Sequence, residues 1–453
     1  MSKIKRVTAK PEKEFFVHML TKDISVLDCI LDLVDNAVDA AQNGLPNDTA
    51  KEPSAMLTSR KLEGSVIALS VEANRFEISD NCGGMPVSAA VDYAFRFGRP
   101  RTIVSEPYGI GLYGIGMKRA IFKLGSKATI RSNHTGSGFE MKIDVDRWLG
   151  GTESDWDFEL TTAVADPSRP AGLTIEVDQL NTDVATEMNR LTFLSELRAA
   201  LARDYALILR RGIVIKLNGE SVAPQALDLL DDASGMLLPA KRVVEFTGGT
   251  AELIVGLRAA SAGGGETGNE GKKLAEGSGW YVACNDRMVL TADKTSRSVW
   301  GVREFPVWHS QYNGFFGLAR FFSRDPAVLP WTTTKRGLDT ISESYTSVLP
   351  AMQELTRYFV AWTNKRKPDE QPDVDEVILR AASRDVELVA SRQAPLFPHT
   401  SAASPKWIRV CYDVERDKVA LAKRALRGAR LTAASVGRKT FDYFYDREVG
   451  ENE

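Results

Sequence analysis

Histidine and cysteine are scarce in this 453-residue chain, four of each. The histidines are dispersed, which argues against a histidine metal site or a nucleophile triad built on imidazole. Cys29, Cys82, Cys284 and Cys411 form no CxxC and no paired spacing, so neither a disulfide framework nor a structural zinc site is expected. No run approaches the ~18–20 apolar residues of a membrane span, and the start, MSKIKRVTAKPEKEFF, lacks an apolar signal region. The cytoplasm is the expected compartment. A net charge of −2 selects no partner, because local charge patches decide such binding. What the chain does have is 43% hydrophobic residues, enough at this length for two or three domains with their own cores.

The densest signal lies between Asp23 and Ala41, which reads as one helix with Asp23 as its candidate N-cap. At ~3.6 residues per turn, Asp28, Asp32, Asp35, Asn36 and Asp39 share a narrow stripe, while Leu27, Ile30, Leu31, Leu33, Val34, Ala37 and Val38 cover most of the remaining surface. A helix apolar nearly all round is buried, and each unpaired buried carboxylate costs several kcal/mol, so something must compensate. A bound cation with Asn36 as a neutral oxygen donor would do so. The alternative is an exposed acidic face on a surface helix.

Two further motifs follow in order. Residues 1–14 read as an arm and 44–64 as a polar loop. Two strand-like runs, Ser65 to Val71 and Arg75 to Ser79, turn at Ala73-Asn74, and the second delivers the chain into Asp80-Asn-Cys82-Gly-Gly84-Met85-Pro. A carboxylate followed by glycines permits close backbone approach to a flat ligand, although the same residues also make an ordinary strand-end turn. Then Gly109-Ile-Gly111-Leu-Tyr-Gly114-Ile-Gly116-Met117-Lys118 runs into a helical pattern, Arg119 to Leu124. Glycines at a helix N-terminus expose backbone N–H groups at the positive end of the dipole, and Lys118 adds a full charge, a combination suited to phosphate. It matches neither the Walker A nor the dinucleotide fingerprint.

An acid-plus-Asn helix, then D-x-x-x-G-M, then G-x-x-G-x-G-x-K, resembles the GHKL ATP-binding superfamily, which includes DNA gyrase, ninety-kilodalton heat-shock chaperones, histidine kinases and MutL proteins. The wording LVDNAVDA and GIGMK is similar to MORC-like and bacterial chaperone-like ATPases. The resemblance spans about residues 15 to 180. It implies that Asn36 coordinates Mg²⁺ bridging the phosphates and that Asp80 accepts from the adenine amino group, with Gly84 and Met85 lining the base. Gly111, Gly114, Gly116, Met117 and Lys118 would hold the phosphates within a lid of roughly Val87 to Gly116, and Thr174 would sit near the adenine side. Asp32 would be the general base, where hydrolysing members usually carry Glu, and Cys82 replaces the first glycine of D-x-G-x-G. Asp35 and Asp39 would support and orient.

In the second half, Ala128–Arg131 and Phe139–Val145 read as a hairpin, and 183–211 as helical with Leu194, Leu197, Leu201, Tyr205 and Ile208 on one face. Ile213–Leu217 reads as a strand closed by Asn218-Gly219, Glu252–Leu257 as another, 263–279 as a glycine-rich loop, and Trp280–Leu290 as resumed strand. Lys335, in Pro330-Trp-Thr-Thr-Thr-Lys-Arg-Gly337, resembles the transducer lysine that reaches the γ-phosphate in GHKL proteins. Its alternative is a solvated basic turn. Beyond a linker at 364–375, Glu376–Arg392 reads as helix, Gln393–Pro405 as loop and Ile408–Val414 as strand. Arg416–Lys439 reads as a mostly helical, strongly basic run, a nucleic-acid surface or a solvated face. Phe441, Tyr443, Phe444 and Tyr445 suit base stacking, core packing or an interface.

The expected fold is therefore α+β: an arm (1–14), a GHKL ATP-binding α/β sandwich (15–180), a transducer-like α/β domain (181–363), a linker (364–375) and a small mainly helical C-terminal region (376–453). The expected function is a Mg²⁺-dependent ATP-binding and slowly hydrolysing switch, with Asp32 and Lys335 catalytic, a nucleotide-dependent homodimer, and a possible protein client. A non-hydrolysing ATP-bound interaction module, or a DNA-processing or defence-complex subunit, is the alternative. No phosphoacceptor-histidine helix precedes the motifs, which argues against a histidine kinase.

Overall fold

The acidic stripe is buried at its centre, Asp32 and Asp35, and half-buried at Asp28, Asn36 and Asp39, and the fold explains how. The computed structural model describes residues 12–43, 61–96, 98, 107–111, 114–151, 156–258, 272, 274–302, 304–365, 372–398, 410, 413–426 and 431–449. Helix α1 (Lys13–Thr21) precedes α2 (Val26–Asn43), which carries the stripe. The cap of α2 is Ser25, not Asp23: its hydroxyl accepts the Asp28 N–H at 3.1 Å and donates to the Asp28 carboxylate at 2.8 Å, a reciprocal pair that Asp23, further from the first turn, cannot make. The end of the expected arm is also structured. Lys13 lies within α1, is buried, and donates to the Trp148 carbonyl at 2.8 Å.

Strands β1 (Val66–Val71) and β2 (Phe76–Asp80) form the expected hairpin. A helical turn at Val87–Ala89 continues as a π-helical one, Ala90–Ala94, before helix α3 (Gly116–Leu124). Strands β3 (Gly125–His134), β4 (Ser137–Asp144), β5 (Leu160–Ala163) and β6 (Gly172–Leu180) follow. Helices α4 (Thr182–Met188), α5 (Phe193–Asp204) and α6 (Ala206–Leu209) replace the single helical run expected over 183–211. Leu194 is 39% exposed while Phe193 and Leu197 are buried, because the helix starts at Phe193 and sets its inward face from there. Strands β7 (Val214–Leu217) and β8 (Glu220–Ser221) turn at Asn218-Gly219, both with positive φ, as a two-residue hairpin requires.

These eight strands make one sheet ordered β5-β4-β3-β6-β2-β1-β7-β8, antiparallel except for β1 against β7. The sheet thus takes two strands from beyond residue 180, since the helices between β6 and β7 supply the long crossover a parallel partner needs. Cys29, Ile30, Val34 and Val38 of α2 are fully buried in one core with Ile67, Phe76, Ile130 and Val177 of the sheet.

A second sheet, ordered β10-β11-β14-β12-β13, comprises β10 (Ala240–Phe246), β11 (Gly249–Leu257), β12 (Gly279–Cys284), β13 (Arg287–Asp293) and β14 (Phe315–Phe322). The run 280–290 is therefore two strands rather than one. It folds back at Asn285-Asp286, whose φ values of 48° and 66° are tolerated by residues with short polar side chains. Helix α7 (Glu343–Lys365) packs its buried face, Tyr345, Met352, Leu355 and Phe359, into the same core. Strand β9 (Asp228–Asp231) pairs with β15 (Ala382–Asp385), so the helix expected over 376–392 ends early: α8 covers Pro372–Arg380 and the chain becomes extended from Ala382.

Residues 1–367 and 374–399 form one compact unit. Residues 368–373 and 400–453 form another, containing α9 (Arg416–Ala425) and α10 (Ala433–Glu448). Phe441, Tyr443, Phe444 and Tyr445 are all more than 45% exposed, so core packing is not their role. Residues 410, 413 and 414, the described part of 408–414, are not strand. The expected arm residues 1–11, most of the loops at 44–64 and 263–279, much of the lid, and Arg427 and Arg430 lie outside the described residues. Among the described residues no helix is long and apolar enough to cross a membrane.

Candidate functional site

Each acid of the α2 stripe has a partner that the sequence did not reveal. Asp28 pairs with Arg336, and Asp32 with Arg119 of α3. Asp35 is 1% exposed and takes three donors: the Tyr205 hydroxyl at 2.6 Å, Arg287 Nε at 2.9 Å and Lys335 Nζ at 2.9 Å. Asp39 accepts the backbone N–H groups of Ile110 at 2.7 Å and Gly111 at 2.6 Å. The buried charge is thus compensated by the protein's own cations and amides, a different answer from the bound cation expected to bear that load. Asn36 stands apart. It is half-buried, and its amide has no hydrogen bond among the described residues, so the neutral oxygen donor of the stripe is the member left available.

Electrostatics separate the three inner acids. Burial raises the Asp32 carboxyl above the usual range, and Asp35 adds to the rise, while Lys335 and Arg119 pull it back. Burial would raise Asp35 too, but Lys335, Arg287 and the Tyr205 hydrogen bond hold it well below the normal range. Asp39 is raised by burial to about 6 despite its two backbone N–H bonds. Lys335 stays protonated, since its acids outweigh the cost of its own burial.

Of the phosphate-loop residues, Gly111 lies against Asp39 and Gly116 against Asp32: a Cβ at these positions would meet the respective carboxylate oxygens at 2.8 and 3.3 Å. Lys335 Nζ lies 3.9 Å from Asp32 Oδ1. These residues, with Asn36, are brought together. Lys118 is turned elsewhere. It is 3% exposed and donates to the carbonyls of Ala94 at 2.8 Å and Arg96 at 2.5 Å, so it ties α3 to the end of the π-helical turn, and burial lowers its pKa to about 8. Met117 is buried in the hydrophobic core. Gly114 is exposed with φ +64°, a conformation that suits glycine.

Asp80, Gly84, Met85 and Thr174 gather at the other end, where β2 and β6 run side by side with Ser79 opposite Thr174. One Asp80 oxygen, Oδ1, accepts from the N–H of Cys82 at 2.9 Å and of Leu173 at 3.3 Å. The other oxygen has no partner among the described residues, and burial raises the carboxyl pKa. Met85 is pinned by the Ser132 hydroxyl, which accepts its N–H at 2.7 Å and donates to its carbonyl at 2.8 Å. The chemistry of this donor and acceptor set suits a nucleotide: a fixed carboxylate oxygen at a glycine-bearing strand end, and an Asn36 amide, unpartnered among the described residues, beside a glycine loop whose Ile110 and Gly111 are held by Asp39.

Sequence reading missed Arg119, Tyr205, Arg287, Arg336 and Asn285. Asn285 donates to the Gly109 carbonyl at 3.2 Å and so joins the second sheet to the start of the glycine loop. The turn-forming Asn-Asp pair was its available signal; nothing local marks the arginines. Residues 24–168 match the family described as histidine kinase-, DNA gyrase B-, and HSP90-like ATPase. No curated protein matches the chain. Residues 24–168, within the α+β fold described above, thus form an ATPase domain of the GHKL superfamily.

Proposed function

We propose that this protein is a Mg²⁺-dependent ATP switch in which hydrolysis is slow. The observation that carries the reading is the contrast within one helix: every acid of the stripe is paired, and Asn36 alone in it has no side-chain partner among the described residues. Asp80 would take the adenine amino group on its unpartnered oxygen. The glycine loop, fixed by Asp39, would present backbone N–H groups to the phosphates. Asn36 would hold Mg²⁺, which when bound neutralises phosphate charge. Lys335, charged and nearly buried beside Asp32, would meet the terminal phosphate, and Asp32 would accept a proton from the attacking water. Its raised pKa suits a base, but Arg119 occupies one of its oxygens, which favours slow turnover. Nucleotide-dependent pairing of two chains would follow lid ordering.

The test is ATP titration by calorimetry with and without Mg²⁺. Asn36→Ala and Asp80→Asn should each weaken binding by about tenfold or more, the loss of one or two charge-assisted contacts. Unchanged affinity in both would refute the reading. Phosphate release equal in wild type and Asp32→Ala would instead favour a non-hydrolysing ATP-bound interaction module, the reading supported by the Arg119–Asp32 pair. Exposed Arg416, Lys418 and Arg424 on α9 support a DNA-facing role, tested by salt-dependent retention.

A further inference from the structure

We propose that Asp35 is the positioning residue for Lys335: with Tyr205 and Arg287 behind it, it holds the Lys335 ammonium beside Asp32 with two N–H donors left for the terminal phosphate of ATP. The inference rests on the ATP reading above and assigns Asp35 no contact with nucleotide. Both of its oxygens are committed, Oδ1 to Tyr205 and Arg287, Oδ2 to Lys335. Arg287 cannot swing away, because it also lies 4.6 Å over the Tyr205 ring and 3.3 Å from Asp204. The carboxylate is therefore locked by the protein's own groups.

Lys335 is held from its own side as well. Its backbone sits at φ +55°, a conformation unfavourable for a residue with a Cβ, in a loop closed by Lys335 N–H to Thr332 O at 2.9 Å and Thr332 N–H to Gly337 O at 3.0 Å. An ammonium has three donors. Asp35 takes one, and Asp32 at 3.9 Å is beyond hydrogen-bond reach, so two remain unpartnered among the described residues on a group only 8% exposed. Such a pre-placed, under-used cation calls for an anion, and ordering it beforehand removes the entropy cost of recruiting a flexible lysine. ADP lacks the terminal phosphate, so the expected consequence is discrimination.

The experiment measures the ratio of affinities for a non-hydrolysable ATP analogue and for ADP, by calorimetry with Mg²⁺. Wild type should favour the analogue by about tenfold or more, and Lys335→Met should bring the ratio to about one. Asp35→Asn should collapse the ratio likewise while ADP affinity stays within about threefold, and Asp35→Asn with Lys335→Met should be no worse than Lys335→Met alone. A merely structural Asp35 would weaken both nucleotides together. Should Asp35→Asn fail to fold, Tyr205→Phe, which removes only the hydroxyl donor, should lower the ratio. A wild-type ratio in whichever of these two variants folds overturns the inference. Equal binding of both nucleotides by wild type overturns it while leaving the ATP reading intact, and no binding of either sinks both.

Discussion

Asp39 and Gly111 are locked together: the Gly111 N–H donates to Asp39 Oδ2 at 2.6 Å, and a Cβ on Gly111 would lie 2.8 Å from that same oxygen. The last acid of the stripe thus shapes the second glycine of the loop. Asp39→Ala strands two amides and should cost about 1–3 kcal/mol in urea unfolding. Gly111→Ala should displace the carboxylate and weaken ATP binding by about tenfold, with a smaller effect on stability. Equal ATP affinity in wild type and both variants would show that this link does not shape the loop.

The strand end around Asp80 depends on backbone contacts that no side chain can occupy. A Cβ on Gly84 would fall 2.2 Å from the Asn133 carbonyl, and one on Gly172 1.9 Å from the Asp80 carbonyl. Backbone atoms cannot step aside, so Gly84→Ala and Gly172→Ala should each cost about 3 kcal/mol or more in thermal or urea melts. Gly83, with open space around it, should cost about 1 kcal/mol for its positive φ alone.

Lys118 makes stability depend on alkaline pH. Its folded pKa of about 8 lies below the 10.5 of the free side chain because burial disfavours the charge. Between those values the unfolded chain binds more protons than the folded one, so stability rises with pH across that window, and below pH 8 the burial cost is fully present. Urea unfolding at pH 7.5, 8.5 and 9.5 should show wild type gaining on Lys118→Met. Parallel curves would mean that the ammonium is effectively hydrated.

Arg320 anchors the turn that carries Arg287. It is 1% exposed and bonds Asp286 at 2.7 Å and Glu252 at 3.0 Å. Arg320→Met leaves two buried carboxylates without it and should cost about 3–5 kcal/mol, whereas Arg198→Ala, which breaks the solvent-facing pair with Glu220, should cost less than about 1 kcal/mol. Similar losses in the two variants would contradict the burial of the Arg320 network.

The strands and helices around the nucleotide motifs were legible because their patterns are local. The stripe of α2, the hairpin into Asp80 and the turn at Asn218-Gly219 each need only a few adjacent residues to specify. The run 280–290 reads as one strand because its apolar residues resume at once after the short Asn285-Asp286-Arg287 interruption, the one local mark of the reversal. Glu376–Arg392 was misjudged because β15 exists only by pairing with β9, some 150 residues earlier.

By itself the sequence determined the motif order, the amphipathic α2 and its Asn36, and the family to which residues 24–168 belong. Only the tertiary structure decided what the acids of that helix face. Tyr205, Arg287 and Lys335 converge on Asp35 from as far as 300 positions away, and Lys118 turns to the carbonyls of Ala94 and Arg96 instead of staying at the loop. A carboxylate announces in sequence that it needs a partner. Which partner reaches it is set by burial, because inside the protein the unpaired charge is costly enough to select, among all residues the fold brings near, those that can neutralise it.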